Sequence, residues 1–357
     1  MNQLKILHVL LSPRAEGTPR LVLDWLTVKS YEQDLLFLSE EGELKDEFEQ
    51  AGNWQFYNTA FVARFKSLFQ IRNLVRKTCE ERKPDIVIAW MMGFSPWVLW
   101  GAKQAGVNRL IVHGGNPPGD SFIGKYIFSY MSFWIGNLLG SKVICCSDYI
   151  RDAFRAIPFL SKKQFESVYN CFQPSKFQLV NPPQRNAFQA LMVATMEPHK
   201  DHTTLLHAWK IIEQRGFTYT LQLAGNGGLF QELQTLSTSL GLNNVTFLGS
   251  RKDVPILLHN SSLFVFSTTH QEGFGTVLIE ALASGCTIIA SDVPACKEVL
   301  KGGEYGKLVP AGNVTALADA IVHAFEYPLD EHSKARNMQY AYEFTPEKMI
   351  QRYVELV

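Results

Sequence analysis

LFVFSTTHQEGFGTVLIEALASGCTIIAS, residues 263–291, holds a complete strand–loop–helix–strand unit. LFVFST is a continuous apolar run of strand length, and TIIAS is another. Between them a helix starts at Gly275 or Thr276 and runs through TVLIEALASG to Gly285, where glycine accepts the left-handed backbone that ends helices. Two apolar strands joined through a helix make a parallel sheet buried on both faces. The loop THQEGFG lies at the carboxyl end of the first strand, the edge at which open α/β sheets bind ligands.

The same rhythm extends in both directions. Upstream in this half come ALMVAT, a helix over 200–215, YTLQLAG, a helix over 228–240, VTFLG and a helix over 252–259; downstream come LV and a helix over 314–326. The first half repeats it with strands LKILHVL (4–10), DLLFL (34–38), WQFY (54–57), DIVIAW (85–90), RLIVHG (109–114) and KVICCS (142–147), and helices over 18–29, 62–82 and 96–106. YNCFQPSKFQLVNPPQRN, residues 169–186, is rich in Pro, Asn and Gln without a sustained period and breaks the chain in two. The fold class expected is therefore α/β, with two Rossmann-like doubly wound domains facing across an interdomain cleft. Their expected bounds are 1–170 for an acceptor-binding domain, 171–188 for a linker, 189–340 for a donor-binding domain, and 341–357 for a C-terminal helix packing back on the first domain.

At 357 residues the chain is long enough for two full cores. Its 46% hydrophobic and 19% charged content is that of a soluble globular protein, and a net charge of +0 gives no global attraction to nucleic acid. Six cysteines show no CxxC or Cys/His metal spacing, which predicts reduced thiols in a cytosolic protein. The start, MNQLKILHVLLSPR, reads as a first buried strand and not as a secretion signal.

Glu272 and Glu280 stand either side of the Gly-Phe-Gly turn. A helix start at Phe274, Gly275, Thr276 and Val277 offers backbone N–H groups and the positive end of a macrodipole, which suit a phosphate or diphosphate. Glu272, before that start, points beyond the phosphate; Glu280, inside the helix, suits the vicinal hydroxyls of a ribose. Retaining glycosidases instead set two carboxyls about 5–5.5 Å apart on one bond. The ligand implied here is extended: hydroxyl-bearing group, diphosphate, ribose.

EGFGTVLIEALASG, with its E-x7-E spacing, followed by SDVPACKEVL and YGKLVPAGNVTALADAI, resembles the donor domain of retaining glycosyltransferases of the GT-B fold, glycosyltransferase family 4. The resemblance continues through LMVATMEPHKDHTTLLHAW, LQLAGNGGLFQEL and VTFLGSRKDVPILL, and more faintly through PDIVIAW, GVNRLIVHGG, VICCSDYIRDAF and VYNCF. It implies a hexosyltransferase using a UDP- or GDP-sugar, with no cofactor and no metal required; no D-x-D occurs in the chain. It also implies roles: Glu272 on donor-sugar hydroxyls, Glu280 on the ribose, the amides from Phe274 to Val277 and Lys200 on the diphosphate, His113 toward the donor sugar, Gly17 beneath a phosphate, and Arg251 near the base or diphosphate. Two positions depart from the pattern. Thr195 stands where the family has an arginine, and Glu16-Gly17-Thr18 replaces a paired-glycine loop. A hydroxyl does not match a bidentate guanidinium on a diphosphate.

The acceptor implied is a saccharide or a lipid-linked hydroxyl, in cell-surface polysaccharide or glycolipid synthesis. Six of the seven tryptophans fall in the first half; a core role is expected for most of them. ARFKSLFQIRNLVRKTCEERK, residues 63–83, is a basic helix that covers the sheet or lies on an anionic membrane. The apolar stretch 122–139 is a second lipid-facing candidate, read as a helix packed on the sheet. A cytoplasmic protein, peripheral on the inner face of the cytoplasmic membrane, is the expectation. The alternatives are a nucleotide-sugar epimerase on the same fold and a weakly active nucleotide-sugar-binding subunit; donor incubated without acceptor separates the first.

Overall fold

The computed structural model describes residues 3–51, 54–56, 65–118, 129–158, 160–181 and 183–357, with the side chains of 54–56, 65–67 and 129–132 excepted. The chain forms two compact units, one of residues 1–171 with 346–357 and the other of residues 172–345.

In the first unit seven parallel strands run β1 (Lys5–Leu10), β2 (Glu32–Phe37), β3 (Trp54–Phe56), β4 (Ile86–Ala89), β5 (Arg109–Gly114), β6 (Lys142–Cys145) and β7 (Phe165–Ser167), in spatial order β3-β2-β1-β4-β5-β6-β7. β7 is a strand that the sequence reading passed over: FES has neither length nor an apolar run, and it pairs along Val143–Cys145 at the sheet edge. β1, β4 and β5 are near-continuous buried runs, as a sheet covered on both faces requires. The helices used below are α1 (Gly17–Trp25), α2 (Lys45–Ala51), α3 (Phe65–Arg82), α4 (Ser95–Gln104), α5 (Ser129–Leu138) and α6 (Asp148–Arg155). Gly101 lets α3 and α4 touch: a Cβ there would sit 2.3 Å from the Arg72 carbonyl oxygen.

α3 uses its apolar face inward, with Ile71, Leu74 and Val75 buried. α3 packs against α4, while Phe69 stays 42% exposed. Residues 63–64 and 122–128 of the two membrane candidates lie outside the described residues; no described helix is long and apolar enough to cross a membrane.

The second unit has six parallel strands, β8 (Asn186–Val193), β9 (Thr220–Ala224), β10 (Val245–Gly249), β11 (Ser261–Phe266), β12 (Thr287–Ser291) and β13 (Lys307–Val309), in order β10-β9-β8-β11-β12-β13. Its helices are α7 (His202–Gln214), α8 (Phe230–Ser239), α9 (Val254–Asn260), α10 (Thr276–Ala283), α11 (Pro294–Val299), α12 (Val314–Glu326) and α13 (Glu331–Ala341). β8 begins inside the stretch read as linker, because Asn186 and the exposed Ala187 and Phe188 extend the strand outward past its buried part. α10 ends as expected: Gly285 is left-handed (φ 74°), its N–H reaches the Leu282 carbonyl, and the Cys286 N–H reaches Ala281.

The last helix, α14 (Pro346–Glu355), returns to the first unit. Met349, Ile350 and Tyr353 join a core that holds Trp25, Trp90 and Ile111, and Arg109 donates to the carbonyls of Val354 at 2.8 Å and Val357 at 3.2 Å. All six thiols are free and buried. Trp25, Trp90 and Trp209 are core residues, whereas Trp134 is 47% exposed; the Trp54 side chain lies outside the described residues.

Candidate functional site

The strand order of the second sheet reverses between β8 and β11, so the loops leaving these two strands part to opposite sides and leave a crevice. Lys200 follows β8 and Glu272 follows β11. Backbone bonds stitch the two loops: the His199 carbonyl accepts from the Thr269 N–H at 2.9 Å and the Thr268 hydroxyl at 2.8 Å. The structure thus brings Lys200 and Glu272 into an ion pair, both largely buried, with the Lys200 ammonium 5.1 Å from the centre of the Phe266 ring.

Burial by itself would raise the Glu272 carboxyl, but the Lys200 ammonium and the Phe274 N–H outweigh it and hold the group below its ordinary range. Glu272 Oε1 also accepts from the Gly273 N–H at 3.1 Å and the Phe274 N–H at 3.4 Å. The carboxylate is therefore folded back on its own loop and takes an amide that the sequence assigned to a phosphate. Gly275, at φ 82°, turns the chain into α10; a Cβ there would come within 3.2 Å of both Leu278 and Phe266. Thr276 opens the helix, Val277 follows half-buried, and Glu280 stands one turn on, also half-buried.

The loop after β8 is pressed from the other side. Gly225 (φ 149°) and Gly227 in LAGNGG touch backbone: a Cβ at Gly225 would lie 1.8 Å from the Ala194 carbonyl oxygen, and one at Gly227 2.6 Å from that of Met196. Packing between loops is what these glycines serve. The Gly228 N–H donates to Glu197 Oε1 at 2.9 Å, and Asp201, left-handed at φ 35°, caps α7 through the Thr204 N–H. Thr195 lies in this pressed segment, half-buried. Arg251 forms a two-pronged pair with Asp253, which raises its pKa through the hydrogen bond first and the carboxylate charge second. As an isolated compensating cation for position 195 it is already engaged.

In the first unit, Gly17 is the first residue of α1, without positive φ and with open space around its missing side chain. His113 is the penultimate residue of β5 and is buried, its pKa lowered to about 4 by desolvation. It belongs to a cluster invisible in the sequence. Its ring lies 4.8 Å from that of Trp90, and its Nδ1 is 2.8 Å from the hydroxyl of Tyr353 on α14. His8 sits in the same layer, its Nδ1 accepting from the Trp90 N–H at 3.0 Å and its Nε2 3.1 Å from Gln33 Oε1. Tyr353 is 240 positions from His113, so no local spacing could have linked them. No described group of three or more His, Cys, Asp or Glu could hold a metal ion.

Comparison with known proteins gives the following. Residues 176–343 match the profile of a family described as glycosyl transferases group 1. Among curated proteins, the phosphatidyl-myo-inositol mannosyltransferase of Mycobacterium leprae is 36% identical over 129 residues, 35% of this chain and 34% of that protein. The capsular polysaccharide biosynthesis glycosyltransferase CapM of Staphylococcus aureus is 29% identical over 219 residues, 55% of each. The chain thus spans between about a third and about half of the length of these relatives. Among solved structures, Anabaena Alr3699/HepE in complex with UDP and glucose superposes with TM-score 0.83 at 21% identity, covering 99% of this chain and 98% of that one. At that identity the likeness is one of fold: two doubly wound domains of the GT-B class.

Proposed function

We propose, from the match of residues 176–343 to the glycosyl transferases group 1, that the chain moves a hexose from a nucleotide-diphosphate sugar, UDP- or GDP-linked, to a saccharide or lipid-linked hydroxyl with retained configuration. The observation that carries this reading is the Lys200–Glu272 pair at the strand-order reversal, beside a helix opened by left-handed Gly275. A dianionic diphosphate arriving at the start of α10 draws the Lys200 ammonium to itself and releases Glu272 to the sugar hydroxyls. Glu280 takes the ribose. The bond from the anomeric carbon to the diphosphate breaks, and the acceptor oxygen bonds to that carbon from the same face. The acceptor's proton passes to a donor phosphate oxygen, and Lys200 and the helix start stabilise the departing charge. His113 and Gly17 keep the roles the family pattern gives their positions, Thr195 offers the diphosphate a hydroxyl in place of a guanidinium, Arg251 reaches the donor only by leaving Asp253, and the chain's own residues perform the transfer with no cofactor.

The test is a thermal-shift panel of nucleotide sugars followed by nucleotide release with and without saccharide acceptors. A shift by one class of nucleotide-diphosphate sugar, with release that needs acceptor, is expected. No shift with any of them overturns the reading. One observation favours a second reading, a sugar-nucleotide-binding subunit with little turnover: Thr195 stands in the arginine's place while Arg251 is committed to Asp253. Binding without acceptor-dependent release would select it.

For the partner surface, Phe69, Trp97 and Trp100 form an aromatic group at the junction of α3 and α4, with the Arg72 guanidinium 4.7 Å from the Trp100 ring. Aromatic rings interleaved with arginine suit a bilayer interface with anionic headgroups, and a cytoplasmic protein peripheral on that membrane follows. Flotation with anionic vesicles at low salt tests it; no lipid-dependent binding sinks it.

A further inference from the structure

His113 is a neutral imidazole paired on one side and, among the described residues, unpaired on the other. Nδ1 meets the Tyr353 hydroxyl at 2.8 Å. Nε2 has no hydrogen-bond partner among the described residues. Gly115 keeps that side clear, since a Cβ there would stand 3.3 Å from Nε2. A neutral imidazole carries one ring proton, and its position decides whether Nε2 donates or accepts.

The partner settles where the proton sits. Tyr353 is 1% exposed, stacked edge-on against Trp25 at 4.9 Å and lying over Trp90 at 6.2 Å. Among the described residues its hydroxyl has no hydrogen-bond partner besides Nδ1 of His113. Were Nδ1 protonated, it would donate to the phenol and leave the phenolic proton buried without an acceptor, which is costly. With Nδ1 bare, the phenol donates and both groups are satisfied. His8, in the same layer, has its proton placed the same way. The Trp90 N–H can only donate, so Nδ1 of His8 accepts and its Nε2 carries the hydrogen to Gln33.

We infer that Tyr353, on the C-terminal helix, is a positioning residue that fixes His113 as the Nε2–H tautomer, so that His113 offers its ligand a hydrogen-bond donor and not a base. The ligand atom it suits is an uncharged or anionic oxygen, such as a sugar hydroxyl. An imidazole in this state cannot accept the acceptor's proton through Nε2, which agrees with a donor phosphate oxygen taking it. The helix is anchored to the strand that carries His113 at both ends, through Arg109 to the Val354 and Val357 carbonyls and through Tyr353 to the ring. The ring therefore has a fixed orientation as well as a fixed tautomer.

This inference rests on the proposed transfer only for the identity of the oxygen; the tautomer itself is tested without substrate. The full chain is labelled with 15N-histidine, and long-range 1H–15N spectra are recorded near pH 7.5, with the His113 signals assigned by their loss in His113→Gln. The expected pattern is a pyridine-type Nδ1 and a pyrrole-type Nε2. Tyr353→Phe, which removes one oxygen from the core, is expected to move the two shifts toward each other as the tautomers mix, with the melting temperature as a check on folding. A pyrrole-type Nδ1 in the unaltered chain, or unchanged His113 shifts in Tyr353→Phe, overturns the proposal. If the tautomer is as expected while no nucleotide sugar binds, the transfer reading falls and the positioning role stands.

Discussion

The ammonium of Lys200 and the carboxylate of Glu272 close on one another across 72 positions of sequence, each drawn from a loop that leaves the sheet where its strand order reverses. A paired buried charge is tolerated; an orphaned one is not. Lys200→Met is therefore expected to destabilise the fold by about 3–5 kcal/mol near neutral pH, whereas Lys200→Met combined with Glu272→Gln should cost much less than the sum of the two single changes. Urea unfolding of the four proteins in the cycle measures this. Additive single effects would mean the pair is not coupled.

The two glutamates should separate in function. Glu280→Ala is expected to weaken nucleotide binding, and Glu272→Ala to lower turnover with nucleotide affinity largely kept. Calorimetric titration with the nucleoside diphosphate, beside steady-state rates, distinguishes them. Negligible effects of both substitutions would remove the site from α10.

Gly17 and Gly225 make a contrasting pair. Gly17 opens a helix with empty space where a Cβ would go, so Gly17→Ala should leave stability unchanged or raise it by up to about 1 kcal/mol. A drop in donor affinity in that variant would show the backbone approach expected there; unchanged affinity would end it. Gly225→Ala meets the Ala194 carbonyl at 1.8 Å with φ at 149° and is expected to cost more than about 2 kcal/mol by displacing the segment that carries Thr195. A melting point within a degree of the parent's would contradict this contact.

Three histidines make stability depend on pH. Burial holds His8, His113 and His202 near about 4, against 6.5 for a free histidine. As pH falls below about 6.5 the unfolded chain takes up protons that the folded chain refuses, so stability declines by up to about 1.4 kcal/mol per pH unit for each histidine and levels off near pH 4. The stability they confer is complete above the unfolded value and lost on the way down to the folded one. Both ring nitrogens of His202 lack a partner among the described residues. His202→Leu should thus fold as well as the parent at pH 7 and show a shallower decline to pH 5; equal slopes would refute the assignment.

Most of the architecture was legible because its signals are local. Strand, loop and helix alternate with a period that residues such as Leu263–Phe266 and the Gly285 stop announce within a few positions. Glu272 and Lys200 could be picked from their places after strands, Glu280 from its spacing to Glu272 inside the helix, and His113 from its place near the end of a strand. What was not legible depends on distant residues meeting. The back-turned Glu272 carboxylate, the engagement of Arg251 by Asp253 and the packing duty of Gly225 follow from loop geometry and not from residue type. β7 escaped because edge pairing alone sustains three residues, and the start of β8 because a strand's exposed end has the composition of a linker. Tyr353 reads as one tyrosine in an amphipathic helix until the fold sets it beside His113.

α14 also has a consequence for the order of events during synthesis. Trp25 emerges early, but its sulfur contact with Met349 at 3.3 Å and its ring contact with Tyr353 require residues made hundreds of positions later. The sheet carrying His113 can form as its strands leave the ribosome, yet its aromatic layer stays unsealed until residues 346–357 arrive. The half translated first is the half completed last, and it must wait with tryptophan uncovered, in the kind of intermediate that chaperones recognise.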